Sequence, residues 1–177
     1  MDLFQELGER GHEQVSFFHD PDSGLKGLVA IHNTVLGPAL GGCRMWNYEN
    51  ETEALVDVLR LSKGMTYKAA IAGLNLGGGK AVIIGDSKTQ KTENLFRSFG
   101  RFVEGLGGRY ITAEDVGTNI RDMEQVRIET DYVTGISQAL GGSGDPSPVT
   151  AYGVFVGIKA SVKERLNRTE LDGLKVS

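Results

Sequence analysis

The chain has 177 residues, of which 40% are hydrophobic and 24% charged, a composition that excludes disordered and membrane chains. Its net charge of −4 excludes the broad cationic surface that nucleic-acid binding requires. The amino end lacks a basic stretch followed by an apolar core, and no apolar run approaches the roughly 18 residues of a membrane span. We therefore expect a cytoplasmic protein that contacts neither nucleic acid nor a membrane.

Disulfide and metal chemistry are not expected. Cys43 is the single cysteine, which suits a small buried residue. His12, His19 and His32 have no cysteine or second histidine at ligand spacing, so we predict no zinc site. We expect the histidines to lie in or beside the first two strands.

The first half of the chain predicts a hairpin and a long helix. Residues 14–19 and 26–32 are rich in apolar and β-branched side chains, and turn-forming residues separate them. A glycine-rich loop is predicted at 37–44. Thr52 is expected to cap a helix that runs towards Ala70, and a second glycine loop at 77–79 leads into a buried strand at 80–85.

The second half alternates helix and strand. Thr92 is expected to begin a helix whose apolar stripe includes Phe102, a strand follows at 109–112, and Thr118 is expected to cap a helix through Arg127. Alternation of this kind predicts an α/β fold with parallel pairings, and the hairpin makes the β-sheet mixed, with flanking helices.

The segment GGSGDPSP at 141–148 interrupts this alternation, because neither helix nor sheet accommodates that density of glycine and proline. Pro148 then suits the first turn of a helix whose apolar residues recur through Leu166, and residues 171–177 suggest a turn and the beginning of a strand. We predict one domain at 1–137, a hinge at 138–148, and the first elements of an incomplete second domain at 149–177.

Two lysines and an aspartate are candidates for chemistry. Lys68 lies near the end of the long helix and Lys80 follows three glycines. A lysine that is desolvated, or near another cation, has a lowered pKa and can act as a general base. Asp115 follows a predicted strand, at the edge where α/β proteins form ligand sites. On position alone, each lysine would far more often be a solvated surface residue, and Asp115 could equally be a helix cap.

Four blocks of sequence, in order, resemble the signatures of the Glu/Leu/Phe/Val amino acid dehydrogenase family, most closely its leucine-specific branch: GPALGGCRM at 37–45, KGMTYKAAIAGLNLGGGKAVI at 63–83, GRYITAEDVGT at 108–118 and SPVTAYGV at 147–154. The resemblance implies reversible oxidative deamination of an L-amino acid to a 2-oxo acid and ammonia, with NAD as hydride acceptor. It also implies a homo-oligomer assembled through the first domain, and a Rossmann domain for NAD. No GxGxxG occurs in the chain, so the main NAD fingerprint is expected beyond it.

The resemblance also implies roles for individual residues. Lys68 would bind the substrate α-carboxylate, Lys80 would activate water against the imino intermediate, and Asp115 would move protons to and from the amino nitrogen. Further positions are implied beside the substrate, at Gly41, Gly42 and Met65, and beside the nicotinamide amide, at Thr150.

Substrate choice is expected to depend on Leu40, because glutamate-specific members of the family have a lysine at this place. Burial of an unpaired carboxylate costs several kcal/mol, whereas one methylene changes binding by about 1 to 3 kcal/mol. The sequence thus predicts the exclusion of glutamate more firmly than it predicts a preference for leucine over valine or phenylalanine. Ala113 and Thr134 are further pocket-wall candidates, or packing residues. A rival hypothesis treats the 177-residue chain as a non-catalytic oligomerisation or binding module, inactive by itself.

Overall fold

The computed structural model describes residues 3–175, which form two compact units that divide after Gly144. The helices and strands follow one another as α1 (Leu3–Arg10), β1 (Gln14–Asp20), β2 (Leu25–Asn33), β3 (Ala39–Trp46), α2 (Glu51–Ile71), β4 (Gly77–Ile84), α3 (Glu93–Glu104), β5 (Tyr110–Glu114), α4 (Ile120–Arg127) and α5 (Ser147–Leu166). No helix within residues 3–175 is long and apolar enough to cross a membrane.

The first unit is built on one five-stranded sheet with the order β1-β2-β4-β3-β5. Strands β1, β2 and β4 pair antiparallel, whereas β3 is parallel to both of its neighbours, β4 and β5. The expected hairpin is the β1–β2 pair, in register from Gln14 opposite Ile31 to Asp20 opposite Leu25. The prediction of a mixed sheet with flanking helices is confirmed.

Helices cover both faces of this sheet, because side chains alternate between the faces along each strand. On one face α2 packs against β2 and β4, with α1 beside it, around Leu28, Ala30, Tyr48, Ala54, Leu55, Val58, Leu59 and Val82. On the other face lie α3 and α4, over a larger cluster that includes Phe96, Phe99, Tyr110, Met123 and Val126. Phe102 does not complete the predicted stripe: it is 38% exposed, at the margin of this cluster, where its ring stacks on Phe18.

The predicted loop at 37–44 is wrong: from Ala39 onward it forms β3, which lies between β4 and β5. The predicted glycine loop at 77–79 is wrong as well, since it forms the start of β4. A Cβ at Gly77 would lie 2.0 Å from Asn33 O, one at Gly78 would lie 2.1 Å from Thr66 N, and one at Gly79 would lie 2.7 Å from the Tyr110 ring. The three glycines of β4 therefore permit close packing against neighbouring segments and do not form a turn.

Two of the three predicted helix caps are wrong. Helix α2 is capped by the side chain of Asn50 and not by Thr52, and α4 is capped by Asn119 and not by Thr118. In both cases the asparagine oxygen accepts a hydrogen bond from the backbone three residues ahead, a geometry favoured at the first residue before a helix. The Thr92 cap of α3 is confirmed. Helix α1 was not predicted, although Leu3 and Leu7 are four residues apart and pack against the same core cluster as α2.

The second unit, from Asp145 onward, consists of α5 and a following turn. Pro148 lies in the first turn of α5, where backbone N–H groups have no partner within the helix, so the missing N–H of proline costs no hydrogen bond. Asn167 ends the helix in a left-handed conformation with φ 51°. The strand predicted at the carboxyl end is not formed as far as Lys175, and its last two residues lie outside the described range.

Candidate active site

Three charged side chains meet where the parallel strands β3, β4 and β5 lie side by side. Lys80 is on β4, Arg44 is near the end of β3, and Asp115 directly follows β5. The register places Cys43 beside Ala81 on one side and beside Glu114 on the other. Lys80 and Asp115 therefore approach each other across β3.

Lys80 and Asp115 form an ion pair, with Lys80 Nζ 3.0 Å from Asp115 Oδ1. The Lys80 side chain is 5% exposed and that of Asp115 is 24% exposed. The structure thus brings together two of the three residues to which the sequence assigned chemistry. Asp115 does not cap a helix: its carboxylate faces two cations, and the Thr118 hydroxyl instead accepts from the Asp115 backbone N–H.

Gly42 makes room for this pair. Strands are about 4.8 Å apart, so residues on either side of β3 are separated by nearly twice that distance and must reach towards each other. A Cβ at Gly42 would lie 2.9 Å from Asp115 Cβ and 2.4 Å from Glu114 O. The chain after β5 can therefore approach β3 closely enough for Asp115 to meet Lys80. Gly41 is restricted in the same way, since a Cβ there would lie 1.7 Å from Gly79 O.

Burial and charge shift the pKa values of both partners. Burial lowers the pKa of Lys80, Asp115 opposes that effect in part, the Arg44 charge adds to it, and the net pKa lies below the usual lysine value. Burial would raise the pKa of Asp115, but the cations of Lys80 and Arg44 outweigh it, so the net pKa lies below the usual aspartate value. The pair thus combines a lysine that releases its proton more readily than usual with a carboxylate that is ionised in the resting site.

Arg44 is the member of this cluster that the sequence analysis did not single out. Its Nε donates to Asp115 Oδ2 at 2.9 Å, and its Nη1 donates to Asp57 Oδ2 on α2 at 2.9 Å. One signal could have pointed to it: Arg44 is the single charged residue in the block GPALGGCRM. Arg44 also lines an open cleft of about 440 Å³ together with Trp46 and Val116.

Lys68 and Met65 lie on the carboxyl-terminal half of α2, which packs on the same face of the sheet as Lys80. Thr66 contacts the backbone at Gly78. Lys68 is two residues after Thr66 on α2, and Lys80 is two residues after Gly78 on β4. Lys68 is exposed and makes no ion pair or side-chain hydrogen bond with residues 3–175, whereas Met65 is half-buried. An exposed ammonium without a partner is available to bind an anion.

The three pocket-wall candidates lie along the parallel part of the sheet. Leu40 is half-buried on β3, with Gly78 beside it on β4 and Ile111 beside it on β5. Ala113 is opposite Gly42, near the end of β5. Thr134 lies beside β5, because its backbone N–H donates to Thr112 O at 2.8 Å. Thr150 is on α5, in the second unit.

Two of the histidines come together elsewhere in the first unit. The rings of His12 and His32 are 4.8 Å apart, and His32 Nδ1 lies 2.8 Å from Thr66 Oγ1. Burial is the largest cause that lowers the pKa of His12 to about 4, and burial also lowers the pKa of His32. No group of three or more possible metal ligands occurs among the described residues.

Comparison with known proteins shows the family of this chain. Residues 12–132 match the family model described as the dimerisation domain of Glu/Leu/Phe/Val dehydrogenases. The chain is 59% identical over 177 residues to leucine dehydrogenase from Bacillus subtilis (strain 168), covering 100% of this chain and 49% of that protein. It is 56% identical over 159 residues to phenylalanine dehydrogenase from Bacillus thermotolerans, covering 90% of this chain and 41% of that protein.

Among solved structures, L-tryptophan dehydrogenase from Nostoc punctiforme matches with a TM-score of 0.75 at 48% identity, covering 97% of this chain and 48% of that one. The chain thus spans about half the length of the curated relatives that it matches. Because the family model covers more than half of the chain and the resemblance extends from sequence to fold, the chain belongs to the Glu/Leu/Phe/Val dehydrogenase family.

Proposed function

We propose that this chain is the substrate-binding and oligomerisation part of an NAD-dependent amino acid dehydrogenase, which reversibly converts a branched-chain, leucine-like L-amino acid to its 2-oxo acid and ammonia. The observation that carries the proposal is the partly buried ion pair between Lys80, in the middle of β4, and Asp115, directly after β5, across three parallel strands. Oxidative deamination requires a base that activates water and a second group that moves protons at nitrogen, and this pair supplies both.

Lys80 is proposed as the general base. Once the substrate is an imine, the neutral amine of Lys80 takes a proton from water as the water oxygen attacks the imino carbon. Burial favours this role, because it lowers the pKa of Lys80 and increases the fraction of the neutral amine near neutral pH.

Asp115 is proposed to move protons at the substrate nitrogen. It takes a proton from the substrate ammonium before the hydride leaves, and it returns that proton to the nitrogen of the carbinolamine formed by water addition. As the carbon–nitrogen bond breaks and ammonia leaves, the carbinolamine hydroxyl becomes the carbonyl of the 2-oxo acid and passes its proton to the Asp115 carboxylate. Its contact with Lys80 at 3.0 Å also lets the two groups exchange a proton between turnovers.

Lys68 is proposed to bind the substrate α-carboxylate, and Gly41, Gly42 and Met65 to lie beside the substrate. The exposed ammonium of Lys68 on α2 supports this role, because a fixed cation orients a carboxylate for reaction at the neighbouring carbon.

The substrate side chain is proposed to lie against Leu40, Ala113 and Thr134. Leu40 stands between Gly78, which has no side chain, and Ile111, which is apolar. A carboxylate here would be desolvated without a cation, so the wall disfavours glutamate. Valine or phenylalanine as the preferred substrate is the alternative within this chemistry, and overall identity does not separate them: the phenylalanine enzyme matches at 56% and the leucine enzyme at 59%.

NAD, when bound, accepts the hydride from the substrate α-carbon. Of the residues in this chain, Thr150 is proposed to lie beside the nicotinamide amide. Its exposed hydroxyl makes no hydrogen bond with the described part of the chain, so it fits a polar contact of this kind. We assign residues 1–137 to substrate binding and assembly, 138–148 to a hinge, and 149–177 to the beginning of the NAD domain. The cytoplasm is the proposed location.

The experiment is to assay the full-length gene product with NAD and a panel of leucine, valine, phenylalanine and glutamate. We expect turnover of the three apolar amino acids, with leucine highest in kcat/KM and glutamate lowest. Absence of turnover with all four would reject the proposed chemistry, and preference for glutamate would reject the proposed pocket wall.

A second candidate function applies to the 177-residue chain by itself. The matching family model is described as a dimerisation domain, which favours self-association without catalysis. Sedimentation of the purified chain tests this candidate. A monomer at all concentrations would reject it.

A further inference from the structure

We propose that Arg44 is a positioning residue for Asp115: it fixes the carboxylate so that one oxygen faces Lys80, and it sets the pH range in which the pair works. The inference rests on the proposed function of Lys80 and Asp115. It adds a residue to which neither the sequence motifs nor the family resemblance assigned a role.

The geometry at Asp115 motivates the proposal. Each carboxylate oxygen has its own cation: Oδ1 lies 3.0 Å from Lys80 Nζ, and Oδ2 accepts from Arg44 Nε at 2.9 Å. Two cations on opposite oxygens restrict rotation of the carboxylate about its terminal bond. With the Arg44 contact removed, either oxygen could turn towards Lys80 or towards solvent, since Asp115 lies outside β5 and is 24% exposed.

Arg44 is itself held at its far end. Its Nη1 donates to Asp57 Oδ2 at 2.9 Å, and Asp57 also accepts from Tyr48 Oη at 2.8 Å and from Arg60 Nη2 at 2.7 Å. Because a guanidinium is planar, fixing Nη1 fixes the direction of Nε. Arg44 therefore connects α2 to the residue that follows β5 through hydrogen bonds of fixed direction. A lysine at this place could not make both contacts at fixed angles.

The charge of Arg44 acts on both members of the catalytic pair. It attracts the ionised form of Asp115 and repels the protonated form of Lys80, so it contributes to the lowered pKa of each. The other titratable groups that act on this cluster are Asp57 and Tyr48 around Arg44, and the buried Cys43 thiol beside Lys80. Loss of the Arg44 charge should raise both pKa values and move the limb of the kcat/KM profile that rises with pH towards higher pH.

An ion pair that only stabilised the fold would behave differently. Its loss would reduce the amount of folded enzyme, and the remaining enzyme would keep its pH profile. The position of the profile, and not the activity alone, therefore separates a positioning residue from a structural one.

The experiment compares Arg44→Gln, Arg44→Lys and the control Arg60→Gln in the full-length gene product. In Arg44→Gln we expect the limb that rises with pH to move to higher pH, with a lower kcat. Arg44→Lys keeps the positive charge but lacks the planar guanidinium, so we expect the pH profile to stay near its original position while kcat falls. Arg60 is 65% exposed and pairs with the outer oxygen of Asp57, the oxygen that Arg44 does not contact, so Arg60→Gln should leave the profile unchanged.

A second measurement follows the carbon-13 shift of the Asp115 carboxyl in the 177-residue chain and in its Arg44→Gln variant. We expect the midpoint of that titration to rise in the variant. An unmoved profile and an unmoved Asp115 midpoint would overturn the proposal. If the parent protein turns over no amino acid, the proposed function fails, and the Asp115 titration still decides whether Arg44 controls that carboxylate. If Arg44→Gln does not fold, Arg44→Lys decides, since wild-type kcat in that variant contradicts positioning.

Discussion

Replacing Lys80 with methionine in the full-length gene product is the most direct perturbation of the proposed chemistry. The change keeps most of the side-chain volume at a position that is 4% exposed, and it removes the amine that is proposed to activate water. Loss of a general base lowers turnover roughly 10²- to 10⁴-fold. We therefore expect a fall of that size in kcat, with a smaller change in KM because Lys68 still binds the carboxylate.

The structure indicates that this loss will not result from unfolding. Lys80→Met takes one cation from Asp115, but the carboxylate keeps Arg44 at 2.9 Å and its side chain is 24% exposed. Removal of the ammonium also relieves the desolvation of a buried charge. We expect a net decrease of about 1 to 3 kcal/mol in the free energy of unfolding, smaller than for breaking a fully buried ion pair.

The pH dependence provides the assay. In the parent enzyme, kcat should rise with pH through the lowered pKa of Lys80, because only the neutral amine accepts a proton. Lys80→Met should lose that limb, whereas the matched control Lys68→Met should keep it and show mainly a higher KM. Initial rates of NADH formation across the pH range measure both effects. Near-normal turnover of Lys80→Met with an unchanged pH limb would refute the general-base assignment.

Four further outcomes are expected. Leu40→Lys should shift the kcat/KM ratio of leucine over glutamate towards glutamate, because an ammonium pairs with the side-chain carboxylate and lies unpaired beside leucine; an unchanged ratio would place the selecting wall elsewhere. Gly78→Ala should destabilise the fold by about 1 to 3 kcal/mol in urea unfolding, because its Cβ would lie 2.1 Å from Thr66 N. The control Gly64→Ala, with nothing within 4 Å of its Cβ, should instead stabilise α2 by up to about 1 kcal/mol, and equal effects would contradict this account. The lowered pKa of Asp115 means that its stabilising contribution is present above about pH 4 and lost as pH falls through that pKa, so Asp115→Asn should be less stable than the parent near neutral pH and nearly equal to it in acid; a pH-independent difference would contradict the ion pairs. The 177-residue chain should show no micromolar binding of NADH by fluorescence, because it contains no GxGxxG; binding together with leucine turnover would sink this prediction.

Local sequence patterns were enough to predict much of the fold. The β1–β2 hairpin, α3 with its Thr92 cap, and α5 with Pro148 in its first turn all follow from signals within a few residues of one another. The four sequence blocks were likewise enough to identify the family, since they depend on residue identity and order and not on geometry. The same blocks also led to the prediction that Lys80 and Asp115 take part in the chemistry.

Only the tertiary structure decided where the glycines and Arg44 belong. Gly41, Gly42 and Gly77 to Gly79 resemble turns in the sequence, yet they lie in two adjacent strands, because what each glycine avoids is an atom contributed by a distant segment. Arg44 could not be recognised as a partner of Asp115 while β3 was expected to be a loop, since the two are 71 residues apart and meet only when β3 pairs with β5. Residue types and short-range periodicity are local properties, whereas strand order and the contacts across it depend on the whole chain.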